Sequence, residues 1–292
     1  RGAAMRAAAL GLWCSVALTA PVRGLSVTSL VQRASALPWS CAGELDGFAF
    51  DSAYVKDGQP RGWANWLVDG RLMLGQYPHC QPAEPGPSAD DARAHLRRVR
   101  AAGVDCFACL QAELPPQDAA EAWPAGGVQL AKVEDRARWP ARFVRYAAEA
   151  DAIAAETGGT TRYLHCAIDD LSVPRMADLL ALLDQLLSHY EQGGQAVYVH
   201  CWGGRGRAGL VGACLLALLH PGLDAAGVLD AVQRAYDSRS GAGAMPSPLK
   251  RSPQTERQRA LVRSFVSSVR AARRYLGDLE MADSGGMPRG YL

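Results

Sequence analysis

Lysine is scarce in this chain: of 31 cationic side chains only Lys56, Lys132 and Lys250 are lysines, which leaves 28 arginines. Against 29 acidic residues the formal charge is +2. That balance excludes the broad basic surface with which proteins hold nucleic acid through its phosphates, so any anion is held locally. The arginine bias, set in an Ala-rich texture, fits a GC-rich genome better than a function. Acidic residues are missing altogether before Glu44. The apolar stretch there, Ala7 to Val22, has sixteen residues, short for a membrane span of about 20. With Arg1, Arg6, Arg23 and Arg33 scattered among Ala and Ser, it fits a signal h-region or a transit peptide, or a disordered extension with no address. The first residue is Arg, so the sequence begins either mid-chain or ahead of a start at Met5. Residues 1–40 are accordingly set apart from a folded domain expected over 41–276, and 277–292, with Gly-Gly and no periodicity, are expected to be a flexible tail.

What is present suits an ordinary globular protein. The length of 292 residues allows one large domain with extensions or two small ones, and 49% apolar with 21% charged residues supports a sizeable core. Eight unevenly spaced cysteines do not resemble the disulfide framework of a small secreted domain and are read as reduced thiols.

Periodicity organises the chain. Trp63 to Pro78 suggests short strands entering the core. Ser88 to Ala102 carries Ala92, Leu96 and Val99 at helical spacing, with Ser88 as N-cap and Gly103 past the end. Val104 to Leu110 reads as a buried strand, Glu113 to Gly127 as a loop, and Pro140 to Thr157 as an Ala-rich helix. Arg162 to Ile168 and Gln195 to His200 read as strands around an amphipathic helix from Pro174 to Tyr190. Apolar Leu210 to Leu219, then Leu223 to Tyr236 and Gln254 to Tyr275, read as further helices. This predicts an α/β fold: a central, mostly parallel sheet with helices on both faces.

The segment His200-Cys201-Trp202-Gly203-Gly204-Arg205-Gly206-Arg207-Ala208-Gly209 lies between a strand and a helix and admits three readings. Residues 204–209 satisfy G-x-G-x-x-G, but the acidic residue ending a second strand about twenty positions on, which a dinucleotide site needs, is not in place. A nucleotide P-loop needs Gly-Lys-Ser/Thr, and no lysine is near. The third reading, H-C-x5-R, uses every position. A turn wrapped around an anion points backbone N–H groups from Trp202 to Arg207 inward, reinforced by the helix N-terminus. Gly203, Gly204 and Gly206 permit that path. Arg207 closes the ring with a two-pronged donor matched to phosphate, and the same donors favour a thiolate on Cys201 at its base. An ordinary Gly-rich turn after a buried Cys would not explain Arg at +6 and His at −1.

The run VHCWGGRGRAGLVGACLLALL resembles the dual-specificity branch of the protein tyrosine phosphatases, and most closely the kinase-associated phosphatase group. The likeness covers roughly 63–270, strongly from 161 to 219. It implies a phosphatase fold and a metal-independent phosphomonoesterase acting through a cysteinyl-phosphate on Cys201, on phosphoprotein Tyr and also Ser/Thr. A phosphoglucan or phosphoinositide phosphatase, or a pseudophosphatase that binds phosphopeptides without turnover, are the alternatives. It further implies an acid about thirty residues before the cysteine: Asp170 stands there, with Asp169 as runner-up, although an Asp-Asp pair also suits simple capping. Gln254 and Gln258 match the turn that orients the hydrolytic water, and Arg239, Lys250 and Arg251 are candidate anion contacts. The residue after Arg207 is usually Ser or Thr, whose hydroxyl stabilises the departing thiolate. Here it is Ala208, as in plant-type glucan phosphatases, and losing such a bond, about 1.5–3 kcal/mol, slows phosphate release. Arg205 is either a substrate contact or a solvent-facing arginine. Pocket depth is expected to depend on Trp63, Trp66, Asp169 and the 237–253 loop.

The other thiols take the plain reading. Cys106 and Cys109, three apart in a strand, face opposite sides, Cys214 belongs to the core, and His165-Cys166 and His79-Cys80 lack the second pair of a zinc site. No metal and no cofactor are expected. The expected partner is a phosphorylated protein or a phosphoglucan met by a monomer, without nucleic acid or stable membrane insertion. A catalytic thiolate favours cytosol, plastid stroma or mitochondrial matrix over secretion.

Overall fold

The computed structural model describes residues 24–39, 45–56, 58–82, 87–130, 141–245 and 250–283. In chain order the elements are α1 (Val27–Ala36), β1 (Ala53–Lys56), β2 (Gln59–Gly62), β3 (Ala64–Val68), β4 (Leu72–Gly75), β5 (Cys80–Pro82), α2 (Ala89–Ala101), β6 (Val104–Gln111), β7 (Val128–Gln129), β8 (Ala141–Phe143), α3 (Ala147–Ala155), β9 (Arg162–Ile168), α4 (Met176–Glu191), β10 (Ala196–His200), α5 (Arg207–Leu219), α6 (Ala225–Asp237) and α7 (Glu256–Asp283). The central sheet runs β3-β4-β10-β6-β9. Only β3 is antiparallel to its neighbour, and the β4, β10, β6 and β9 ladders are parallel. The fold is therefore α/β, a mixed sheet flanked by helices. Two small antiparallel sheets, β1-β2 and β5-β8-β7, lie outside it.

Strand alternation builds two core layers. From β10, Val197 and Val199 enter the layer shared with α1, α4, α5, α6 and α7, and Ala196 and Tyr198 the aromatic layer under α2 and α3. Cys106 and Cys109 divide in the same way, one in each layer. Helix α5 is buried along its whole length, which is why Arg207–Leu219 is apolar all round apart from its first residue. Helix α2 starts at a reciprocal cap: Ser88 Oγ accepts from Asp91 N at 3.0 Å, and Asp91 Oδ2 accepts from Ser88 N at 2.8 Å.

Several expectations are corrected. The 1–40 segment is not wholly outside the fold: α1 buries Leu30, Val31 and Ala34 in the main core, and Arg33 bridges to Asp184 and Glu191 of α4. The stretch Ala7–Val22 lies outside the described residues. The helix expected over Pro140–Thr157 starts later: β8 takes Ala141–Phe143, because Phe143 and Tyr146 are drawn into the aromatic layer, and α3 begins at Ala147, while Pro140 lies outside the described residues. Cys80–Pro82, for which no strand was expected, pair with β8. The last helix continues past Tyr275 to Asp283, as no Gly-Pro breaker interrupts Leu276–Asp283 beyond a single Gly277; residues 284–292 lie outside the described residues. Among the described residues no helix is long and apolar enough to cross a membrane.

Candidate active site

The carboxyl ends of the parallel strands converge on one place. His200 at the end of β10 is in register with Gly75 of β4 and Cys109 of β6, and Gln111 of β6 with Ile168 of β9. Two residues beyond β6 comes Glu113, two beyond β9 comes Asp170, and one beyond β10 comes Cys201. This is the edge at which open α/β sheets bind ligands.

The turn from Cys201 to Arg207 is tied down from outside by its carbonyl groups. Trp202 O accepts from Tyr77 N at 3.1 Å. Gly203 O and Gly204 O accept from Arg239 Nη1 at 3.4 Å and Nη2 at 2.8 Å. Arg205 O accepts from Ser252 Oγ at 2.9 Å. In a trans peptide the N–H points opposite to the C=O, so anchoring these carbonyls to the scaffold turns the amides of Gly203, Gly204, Arg205 and Gly206 the other way. Gly204 has φ +66°, and a Cβ there would lie 2.2 Å from the Gly75 carbonyl carbon, so the turn passes the end of β4 only as glycine. The N-cap of α5, Gly206, has no side chain to satisfy the first-turn N–H groups, which adds donors at the positive end of the helix.

Arg207, 2% exposed, is held in a fixed plane. Nη1 donates to Glu113 Oε2 at 2.8 Å and to Ile168 O at 3.0 Å, and Nη2 donates to Glu113 Oε1 at 3.1 Å. Asp170 Oδ1 lies 3.3 Å from Nη2. Burial opposes the charged guanidinium, but Cys201, Glu113 and Asp170 outweigh it and hold its pKa above the ordinary arginine value. Cys201, itself 3% exposed, lines a cavity of about 710 Å³ together with Trp202, Gly203, Arg205, Gly206, Arg207, Asp170 and Gln254.

Of the residues singled out in the sequence, most meet at this cavity. Asp169, the alternative to Asp170, is exposed and is not in its wall. The two glutamines separate. Gln254 lines the cavity and its Oε1 accepts from Arg205 Nε at 3.3 Å. Gln258 is fully buried: its Oε1 accepts from the backbone N of Gln254 and of Thr255, both at 3.1 Å, and its Nε2 donates to Ser172 O at 3.0 Å. It braces the start of α7 against the Asp170 loop. Arg239 is a buried part of the cavity lining beside the turn, with Nε donating to Asn65 Oδ1 at 2.7 Å and its terminal nitrogens donating to loop carbonyls. His200 lies in the aromatic layer, Nε2 2.7 Å from Tyr146 Oη. Burial, reinforced by the positive charge of nearby Arg207, pushes its pKa far down and keeps the ring neutral. Trp63 and Trp66 are core residues, Trp63 stacked on His95, and the cavity walls are built from Tyr54, Tyr236 and Met245 instead. Burial pushes the thiols of Cys106, Cys109 and Cys166 up to about 12, so these bystanders stay protonated. Among the described residues no cluster of three or more His, Cys, Asp or Glu could hold a metal.

Glu113 and Asn65 were not singled out in the sequence. Glu113 had one signal, an acid just past the carboxyl end of a strand; Asn65 had none.

Residues 144–262 match the sequence model of the Swiss Army Knife-type DSP-PTPase phosphatase domain. No curated protein matches the chain. Similar solved structures include PTPMT1, at 18% identity over 73% of this chain and 99% of that one, TM-score 0.42. Kinase-associated phosphatase, carrying Ser for its catalytic cysteine, is similar at 17% identity over 68% and 88%, TM-score 0.39. OH1 from the Orf virus, a tyrosine phosphatase, is similar at 15% over 82% and 98%, TM-score 0.37. The stretch from residue 144 to residue 262, which holds Asp170, Cys201 and Arg207, thus matches a phosphatase domain of the dual-specificity phosphatase superfamily.

Proposed function

We propose that this chain is a metal-independent phosphomonoesterase that works through a cysteinyl-phosphate on Cys201, with phosphotyrosyl protein as its first substrate class and the kinase-associated phosphatase group among its kin. The supporting observation is the outward tethering of the Trp202, Gly203, Gly204 and Arg205 carbonyls, which preorganises donors where an anion's charge sits. An incoming phosphate takes the Arg207 Nη2 donor now shared with Asp170, releasing that carboxyl group toward the leaving oxygen. Cys201 Sγ attacks phosphorus; the S–P bond forms as the bond to the leaving oxygen breaks, and Asp170 supplies that oxygen's proton. A water placed by Gln254 then attacks phosphorus, Asp170 takes its proton, and the S–P bond breaks to return the thiolate and free phosphate. Ala208, buried in the first turn of α5, has no hydroxyl to donate to that thiolate, so this second step is the slow one. The same feature favours a second reading, a phosphopeptide-binding protein without turnover.

Steady-state hydrolysis of p-nitrophenyl phosphate separates the two. Turnover that disappears in Cys201→Ser supports the enzyme. No turnover above that variant, with a phosphotyrosyl peptide still bound, supports the binding protein.

A further inference from the structure

Residues 252–254, just ahead of α7, lie directly against the 201–207 turn. A Cβ on Gly209, in the first turn of α5, would sit 2.4 Å from Ser252 Oγ, so the two segments meet this closely only over glycine. Arg205 joins them through both its backbone and its side chain: its carbonyl accepts from Ser252 Oγ at 2.9 Å, and its Nε donates to Gln254 Oε1 at 3.3 Å. The backbone of Gln254 is fixed separately, its N–H donating at 3.1 Å to Oε1 of the fully buried Gln258. An arginine nitrogen donates and never accepts, so the amide atom that meets Arg205 Nε is the oxygen. Gln254 and Arg205 both line the cavity over Cys201. With Oε1 engaged by Arg205, Nε2 is the end of the Gln254 amide left to serve a water in that cavity.

We infer that Arg205 is a positioning residue for the second step: it holds the Gln254 amide in one orientation, so that the water attacking the cysteinyl-phosphate meets an N–H donor from that side chain. This role rests on the phosphatase reading above, in which Gln254 places the water. Nε2 donates to one lone pair of the water, and Asp170 accepts one of its hydrogens. The other lone pair forms the bond to phosphorus as the S–P bond breaks and its electron pair returns to Sγ. An amide that rotates offers oxygen in place of N–H and places the water in two ways, only one of which suits the attack. The role belongs to the N–H at the Nε position and not to the charge of the guanidinium, which sets it apart from a contact with the substrate's own anion.

Rapid mixing with p-nitrophenyl phosphate in the presence of glycerol reads the fate of the phosphoryl group once it is on Cys201. Attack by water gives inorganic phosphate and attack by a glycerol hydroxyl gives glycerol phosphate, and their ratio does not depend on how fast the phosphoenzyme formed. Arg205→Met has no donor at the Nε position. In that protein, checked for an unchanged melting temperature, phosphoenzyme hydrolysis should slow by roughly three- to tenfold, the effect of one lost hydrogen bond, and the share of glycerol phosphate should rise in proportion. Arg205→Gln keeps an N–H donor on Cδ, where arginine carries Nε, but loses the charge, and should partition like the native protein. In Gln254→Ala protein, adding Arg205→Met should move the ratio no further. A native ratio in Arg205→Met, an equal shift in Arg205→Gln, a further shift on top of Gln254→Ala, or an Arg205→Met protein that forms no phosphoenzyme overturns the inference. Failure of the phosphatase reading looks different: the native protein itself forms no phosphoenzyme and yields neither product, which overturns both.

Discussion

Arg239 Nη2 donates to Gly204 O at 2.8 Å, and the same guanidinium reaches Gly203 O, Leu74 O at 2.9 Å and Asn65. A buried cation therefore holds two consecutive peptide groups of the 201–207 turn in one orientation. Removing it should cost the turn its preorganisation. Arg239→Ala is expected to lower kcat/KM on p-nitrophenyl phosphate by roughly 10–100-fold, as for loss of about 1.5–3 kcal/mol of charge-assisted hydrogen bonding. Arg239→Lys should not rescue it, because a point charge cannot span the Nε and Nη partners. Weaker inhibition by inorganic phosphate in the same proportion would show that the loss lies in anion binding.

Glu113 accepts both terminal nitrogens of Arg207. Glu113→Ala leaves a buried guanidinium without its principal partner, which should cost of the order of 3 kcal/mol in unfolding free energy together with a large fall in activity. Chemical denaturation measures the first, and phosphatase assay the second. Glu113→Gln, which keeps one acceptor, should retain more of both.

Acid should weaken the fold through its buried histidines. Burial pushes His95 down to about 3 and His200 far down, and lowers His79 and His165 as well. These rings stay neutral in the folded chain, whereas in the unfolded chain histidine takes up a proton near pH 6.5. Stability contributed by a depressed pKa is complete above 6.5 and is lost as pH falls toward the folded value. Each fully buried ring thus takes away about 1.4 kcal/mol per pH unit below 6.5. Urea unfolding at pH 8, 6.5 and 5 should show little change over the first interval and a steep fall over the second.

The H-C-x5-R spacing was legible because Cys201, the turn and Arg207 are contiguous, so one short stretch of sequence carries the turn that lines the cavity. The strand-helix-strand order around it was equally legible, as was the opposite facing of Cys106 and Cys109. What stayed hidden depends on residues far away in sequence. Helix α1 looked like part of a targeting segment for want of acids, but the acids that hold Arg33 are Asp184 and Glu191, some 150 positions on. Glu113 sits in a Pro- and Ala-rich loop and matters only because β6 and β10 are neighbours. Gln258 resembled a water-orienting residue, yet its amide is spent on backbone groups.

The same comparison yields a test of α1. Leu30 is fully buried in the main core, so Leu30→Ala should destabilise the chain by about 2–5 kcal/mol. A change within 0.5 kcal/mol, which surface sites give, would mean that α1 is not part of the folded unit.

The central claim is that phosphate passes through Cys201 and leaves slowly because residue 208 is Ala. Rapid mixing with p-nitrophenyl phosphate measures this directly. The account predicts a burst of nitrophenolate equal to the enzyme present, a phosphoryl group on Cys201 after acid quench, and a slow steady rate that rises roughly 10–100-fold in Ala208→Ser. Turnover with no burst and no phosphorylated Cys201, or turnover that survives in Cys201→Ser, would contradict it.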